Sequence, residues 1–428
     1  MEGFEMGKVK VLTARQAADL IKDGDTVTLS GFVANGIAEA LNAAAEERFL
    51  ETGHPKDLTL FWVAGTGNKD GSHADHYAHE GMVKKVIGGH FNFVPKICEM
   101  LSENKIEGYN VPQGAIAQML RDNAAHKVGT ISHVGIGTFA DPRNGGGCLS
   151  EKTKEDIVKV IELEGQEQLF YPRIPLDVAF IRGTYADELG NITLEKEMAP
   201  LDATSQAMAV HNNGGLVVVQ VERVVKAGHL DPKLVKIPGI YVDAVVECPA
   251  DDPKQSQSIN CTYDPAYAGN TQVPVSSLEP KKLDAKKIIG RRAAMELKKN
   301  VVVNLGVGVP EWVSSVAAEE GVADEMTLTV ECGPVGGVPG GGLRFGGSVN
   351  AQAYMDEGYQ FDFYDGGGLD LCFLGLAEVD NNGDVNVSRL GTRITGSGGF
   401  TNISSNSKKA VFCGTFTNGV KIQTGDGK

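Results

Sequence analysis

Leu58–Gly65 reads LTLFWVAG, and Met326–Gly333 reads MTLTVECG. The two stretches share one pattern, a short apolar run that closes on glycine. Their surroundings repeat in the same order. Ala17–Asp23 (AADLIKD), a strand-like run and Gly36-Ile37-Ala38-Glu39 are matched by Ala293–Lys299 (AAMELKK), a strand-like run and Gly308-Val309-Pro310-Glu311. Asp177–Ile192 is matched by Asp370–Val385, and each copy carries Asp-x-x-Gly before a strand-like run, a hairpin signature. Elements repeated in a fixed order predict two similar domains.

The fold class follows from the runs between these landmarks. Thr26–Leu29, Leu58–Val63, Val178–Ile181, Leu216–Val221, Val301–Val303, Leu328–Val330 and Leu371–Leu374 are short and mostly apolar. Such strands suit a mainly parallel sheet covered on both faces. Helix-like stretches alternate with them, at Ala14–Lys22, Ile37–Phe49, Gly114–Arg121, Lys154–Leu163 and Lys286–Lys298. The expectation is an α/β protein with two similar open α/β domains, residues 1–250 and 281–428. A linker over 251–280, rich in Asp, Pro, Ser and Gln, joins them. In the first copy Leu216–Val221 is followed by a further strand-like run, Ile240–Val246. In the second, Ala410–Phe416 is followed only by Thr417–Lys428, so that domain is expected to be incomplete at its C-terminal end.

Composition excludes several classes. With 42% hydrophobic and 22% charged residues in 428, the chain can bury large cores and is not intrinsically disordered. A formal charge of −15 argues against general nucleic-acid binding, which needs a basic face. No run has the apolar length of a membrane span, and the N-terminus lacks a signal-peptide core, so a cytoplasmic location is expected. Seven scattered cysteines without a Cys-x-x-Cys spacing indicate neither zinc nor a disulfide framework. Glycines cluster at 145–147, 336–342 and 366–368, where tight turns or anion-cradling loops would need them.

The repeat exposes one asymmetry with chemical content. Where the first copy has Val63, the second has Glu331, followed by Cys332-Gly333-Pro334. Open α/β sheets hold their ligands beyond the carboxyl ends of the strands. Glu331 is therefore a candidate reactive carboxylate; the alternative is a turn cap or a lysine partner. Other motifs carry less. Gly135–Ala140 fits Gly-x-Gly-x-x-Ala, but Asp141-Pro142 and three glycines follow where a dinucleotide site needs a helix. Gly341–Ser348 resembles half of a Walker loop, with Gly347 where the lysine belongs. His73, His76 and His79 lie close together, with His90 nearby, but no carboxylate or cysteine at a known metal spacing accompanies them, so no metal is assigned.

Thr329–Pro339 (TVECGPVGGVP) resembles the active-site segment of the family I coenzyme A transferases, most nearly those acting on propionate, lactate and acetate. Ser30–Leu41, Pro112–Ala117 (PQGAIA), Gly135–Gly147, Asn304–Glu311 (NLGVGVPE) and Gly396–Ser404 (GSGGFTNIS) are similar to the family as well, in order along the whole chain. The resemblance implies that Glu331 is the nucleophile, which carries CoA as a glutamyl thioester in a ping-pong reaction. It implies that Gln113 donates to the acyl oxyanion. It places Gly398 and Gly399 at the glutamyl-side oxyanion facing CoA, and Asn304, Gly306 and Gly308 in the loop lining the CoA site. CoA is then substrate and covalent intermediate, with no permanently bound cofactor. The partners are acyl-CoA and small carboxylic acids, without nucleic acid or membrane, in a homo-oligomer. An acyl-CoA hydrolase on the same fold and a non-enzymatic ligand sensor are the rival readings. The nearest arginine to Glu331 along the chain is Arg344, so a second charge on the acid has no neighbouring partner in sequence.

Overall fold

The computed structural model describes residues 8–274 and 280–416. Eight parallel strands form the first sheet, in the order Lys10–Leu12, Ala244–Glu247, Leu216–Val221, Val178–Arg182, Thr26–Leu29, Leu58–Trp62, Val83–Gly88, Glu107–Asn110. Its central strands are buried along their whole length, as continuous apolar runs require. The second sheet has six strands, ordered Ala353–Tyr354, Pro334–Val335, Thr327–Thr329, Val302–Leu305, Leu371–Gly375, Ala410–Cys413.

The duplication is visible in the strand order. Thr26–Leu29 lies between Leu58–Trp62 and Val178–Arg182, with Leu216–Val221 beyond. Val302–Leu305 lies in the same way between Thr327–Thr329 and Leu371–Gly375, with Ala410–Cys413 beyond, all parallel. The copies part at the next position. Leu58–Trp62 has the parallel neighbour Val83–Gly88, whereas Thr327–Thr329 has the antiparallel neighbour Pro334–Val335. The chain turns straight back after Glu331. Gly333, Gly336 and Gly337 make this possible, with φ of 135°, 79° and 73°, values closed to most side chains.

The paired Asp-x-x-Gly segments do form hairpins, Tyr185–Asp187 with Ile192–Thr193 and Glu378–Val379 with Val385–Asn386. Lys154–Leu163 is not a helix: Lys159–Leu163 is a strand paired with Gln166–Pro172. Val158 and Val160 recur at the strand period of two, and Glu164-Gly165, both at positive φ, form the hairpin turn. Part of the segment read as a linker, within residues 251–274, packs against the rest of the chain. Gln255, Gln257 and Ser258 are buried. Gln257 Nε2 donates to Lys196 O at 2.7 Å, and Ser258 Oγ donates to Leu343 O at 2.6 Å. Residues 417–428, where the second copy was expected to stop short, lie outside the described residues. Among those described, no helix is long and apolar enough to cross a membrane.

The two halves meet along the helix Gln113–Ala124, which packs against the helices Glu357–Asp365 and Phe400–Asn406. One continuous apolar core includes Ile116 and Ile181 from the first half and Phe361, Leu374 and Ile403 from the second. Gly114 permits the close approach: its N–H donates to Asn402 Oδ1 at 3.0 Å. Arg121 closes the far end with two bonds to Asp362, at 2.7 and 2.8 Å. A Cβ at Gly114 would collide with the Asn402 amide and the Phe361 ring. Gly114→Ala is therefore expected to cost about 1–3 kcal/mol by overpacking this contact, read as a lower thermal midpoint in calorimetry. An unchanged midpoint would show that the helices part freely here.

Candidate active site

Glu331 stands two residues past the strand Thr327–Thr329. The turn carrying it is tied by Gly333 N–H to Val330 O at 3.0 Å and by Val330 N–H to Pro334 O at 3.1 Å. Its neighbours Val330 and Cys332 are fully buried in a small apolar cluster with Phe32, Val33, Ala64, Leu201 and Phe345. Both halves contribute to that cluster, so the seat of Glu331 exists only once they have met. Asn35 Nδ2 donates to Phe345 O at 3.1 Å, and the Phe32 and Phe345 rings stack at 5.9 Å.

The carboxyl is only 6% exposed, and its Oε2 has no hydrogen-bond partner among the described residues. Among the described residues no lysine pairs with it, so the ion-pair alternative finds no support there. Burial disfavours its charged form and pushes the group up to about 7, against a smaller opposing effect of the Asn304 amide. Asn304 lies in the adjacent strand Val302–Leu305, in register with Thr329. It donates to Tyr364 Oη at 3.2 Å, and Tyr364 donates to Thr329 Oγ1 at 2.8 Å. Gln360 Nε2 also donates to Tyr364 Oη, at 2.9 Å. Asn304 Oδ1 has no partner among the described residues.

Gln113 opens the interface helix just after Pro112 and is buried. Its N–H donates to Gly398 O at 3.1 Å, and its Nε2 donates to Glu357 Oε1 at 2.5 Å. Gly398 has a φ of 56°, and its own N–H donates to Gly89 O at 2.8 Å. Of the two glycines, Gly399 has the N–H without a partner among the described residues. The structure thus brings Gln113, Gly398 and Gly399 together, and Asn304 to Glu331. Glu357 joins the two groups: it bonds Gln113 and senses the charge of Glu331.

Gly306 and Gly308 follow Asn304, with Gly308 exposed at a φ of 92°. Their N–H groups are used internally, Gly306 to Phe373 O at 2.8 Å and Gly308 to Glu311 Oε1 at 2.7 Å. Glu311 Oε2 accepts from Gly342 N–H at 3.2 Å, tying this loop to the glycine-rich segment. The sequence reading missed Glu311, although it sits in the repeat opposite Glu39. It also missed Glu357, Asp202 and Tyr364, which no motif marks.

The remaining candidates fall elsewhere. His76 bonds Glu39 at 2.8 Å and Glu46 at 2.5 Å, and His79 bonds Glu46 at 2.7 Å, bracing the helix Glu39–Thr52. Among the described residues no three His, Cys, Asp or Glu side chains are grouped to hold a metal. Asp141 accepts from Gly137 N–H at 2.9 Å and pairs with Arg143, so Gly135–Gly147 folds on itself.

Residues 11–248 match the family model described as coenzyme A transferase. The chain belongs to the coenzyme A transferase family. It is 44% identical to acetate CoA-transferase YdiF of Escherichia coli O157:H7 over 426 residues, 99% of this chain and 79% of YdiF. Caffeate CoA-transferase of Acetobacterium woodii is 42% identical over 98% of this chain and 81% of that protein. The crystal structure of YdiF apoenzyme superposes with a TM-score of 0.90 at 42% identity, covering 99% of this chain and 80% of YdiF. A YdiF thioester complex with CoA superposes equally well, over 98% of this chain and 83% of YdiF. The protein is a CoA-transferase, moving CoA between an acyl-CoA and a carboxylate.

For this transferase the burial of Glu331 has a stability consequence. Between the ordinary 4.5 and about 7 the native state keeps a proton that the unfolded chain has released. Stability therefore falls as pH rises through that window. Glu331→Gln should match wild type near pH 4.5 and be more stable at pH 8, by an amount on the order of 1–3 kcal/mol. Denaturant unfolding at the two pH values checks this; a constant difference would show that Glu331 titrates normally.

Proposed function

We propose that the transferase works through a glutamyl-CoA thioester on Glu331 and prefers small monocarboxylates such as acetate, propionate and lactate. The observation that carries the reading is a buried carboxylate with an unpartnered oxygen, set just past a strand end between the two halves. The likeness to YdiF, for which a thioester complex with CoA has been solved, supports it.

In this reading the Glu331 carboxylate attacks the thioester carbonyl of an acyl-CoA, and the C–S bond breaks to release CoA thiolate. The thiolate attacks the glutamyl carbonyl of the mixed anhydride, releasing the first acid and leaving CoA on Glu331. A second acid enters and the steps run in reverse. Each tetrahedral intermediate carries an oxyanion that needs prepared donors. Gln113 serves the acyl side. On the glutamyl side Gly399 supplies the N–H, and Gly398 bends the chain to present it. Asn304 steadies Glu331, while Gly306 and Gly308 keep the CoA-facing loop free of side chains. Burial of Glu331 disfavours the hydrolase reading, since hydrolysis needs water where this site has little access. The seven free thiols suit a reducing cytoplasm, and a homo-oligomer belongs to the same proposal.

Mixing the protein with acetyl-CoA and no acceptor should add CoA covalently, and borohydride should reduce the thioester at Glu331. Glu331→Ala should form no adduct; a variant retaining more than about a hundredth of the wild-type rate would rule out nucleophilic catalysis by this residue.

Acid preference follows from the arginines. Arg143 pairs with Asp141 and Glu167, Arg182 with Glu197 at 3.0 Å and with Ser256 O, and Arg344 with Asp264 at 3.1 Å. Each is committed to a partner other than a substrate carboxylate. Succinate is expected to be a poorer acceptor than propionate by at least roughly 10²-fold in kcat/KM, about 2.7 kcal/mol. Equal turnover in an acceptor competition would mean that one of these pairs opens to take the second charge.

A further inference from the structure

Gln113 needs an orienting partner. A glutamine amide rotates through 180° at little cost, and only one of its two faces can donate. Its Nε2 lies 2.5 Å from Glu357 Oε1, a short contact between two buried side chains. One amide hydrogen is committed to Glu357, and the second has no partner among the described residues.

Glu357 is fixed in turn. It begins the helix Glu357–Asp365, and its N–H donates to Leu201 O at 3.0 Å. Its carboxyl lies within hydrogen-bonding reach of the Asp202 carboxyl, the residue after Leu201. Both are nine-tenths or more buried, and Asp202 Oδ1 accepts from no donor among the described residues. Two carboxylates without a proton offer only acceptors and repel, so a contact of this kind requires a shared proton. The charged groups facing the pair are few. Asp356 and Glu331 add negative charge, the neighbouring Cys332 thiol is held protonated, and Arg121, the one cation that acts on Asp202, is itself bound to Asp362. Nothing there neutralises two negative charges at once.

We propose that Glu357 is a positioning residue for the transfer reaction: sharing one proton with Asp202, it holds the Gln113 amide with one N–H on itself and the other aimed at the acyl oxyanion. The shared proton has a second effect. It limits the pair to one negative charge, so that Glu331 can ionise beside it. Burial and mutual repulsion both raise Glu357 well above its ordinary range, in agreement with a retained proton. This inference rests on the reading of Gln113 as oxyanion donor given above.

A double-mutant cycle with a pH profile tests it, using the full chain with acetyl-CoA and propionate. Gln113→Ala and Glu357→Ala are each expected to lower kcat by roughly 10²-fold with small changes in KM, and the double variant to be no slower than either alone. Glu357→Gln supplies a permanent N–H toward Asp202 and an acceptor toward Gln113. It should recover most of the loss and abolish the fall in kcat at alkaline pH, where wild type gives up the shared proton. If Gln113→Ala loses activity but Glu357→Ala does not, or the two losses multiply, Glu357 does not position Gln113 and the donor role stands alone. If Gln113→Ala keeps its kcat, both the donor role and this inference fall. Should Glu357→Ala not fold, the Glu357→Gln profile decides: an alkaline limb identical to wild type overturns the shared proton.

Discussion

Burying Glu331 sets the terms for the surrounding structure. Moving a carboxylate out of water penalises its charged form, and a rise from 4.5 to about 7 corresponds to about 3 kcal/mol. Complete desolvation would cost several times more, so the protein must return part of the lost hydration. Asn304 does so with its amide, and Asn304 is itself bonded to Tyr364, which Thr329 and Gln360 hold in turn. The carboxyl stays ionisable near neutral pH, yet it remains short of donors. For the nucleophilic role proposed for Glu331 that is useful: an oxygen already stripped of water has less solvent to shed when it attacks.

The same burial explains why the second copy departs from the first. The first copy continues through parallel strands, and Val63 at the equivalent place is one more buried apolar residue. In the second copy the chain reverses within a few residues, which lifts Glu331 out of the sheet into the seam between the halves. Reversal so close to a strand end needs positive φ at Gly333, Gly336 and Gly337. A Cβ at Gly333 would meet Met355 O, and one at Gly337 would meet Val349 O. Gly333 and Gly337 are therefore separate solutions to backbone crowding, each against a different carbonyl, while Gly336 clears the Gln352 side chain.

Much of the fold was legible because continuous apolar runs and a repeated order of elements are local signals. Lys159–Leu163 escaped because a charged strand in a small sheet, half exposed, has a helix-like composition and only a few residues in which to show its period. Glu331 was legible through its contrast with Val63, a comparison the repeat itself provides. Gln113 was legible only by resemblance, since a glutamine at a helix start is ordinary. Asp202 and Glu357 were not legible at all. They lie far apart in the chain, and a carboxyl pair exists only once the interface helix, Leu201 and the start of the Glu357–Asp365 helix have been brought together. Nor could the sequence separate Gly398 from Gly399: which N–H is open depends on Gly89, whose carbonyl takes the first.

Three carboxyls gathered at one seam raise the question of why, among the described residues, none is paired with a cation. Arg121 acts on Asp202, but it is bound to Asp362 by two hydrogen bonds and lies over the Tyr359 ring at 5.1 Å. A guanidinium beside Glu331 would lower its pKa and fill the lone pairs needed for attack, producing a stable ion pair and a poor nucleophile. An apolar wall of Val330, Cys332 and Phe345, with one amide, does the opposite. It leaves the charge tolerated but under-solvated, and under the proposed sharing of a proton by Asp202 and Glu357 the remaining negative charge of the seam is limited by protonation rather than by pairing. Protons, unlike arginines, add no side-chain bulk beside the Glu331 carboxyl. A site that must accept anionic acids and hold an anionic nucleophile can tolerate both only if its other acids stay largely neutral, and burial is the means this chain uses to keep them so.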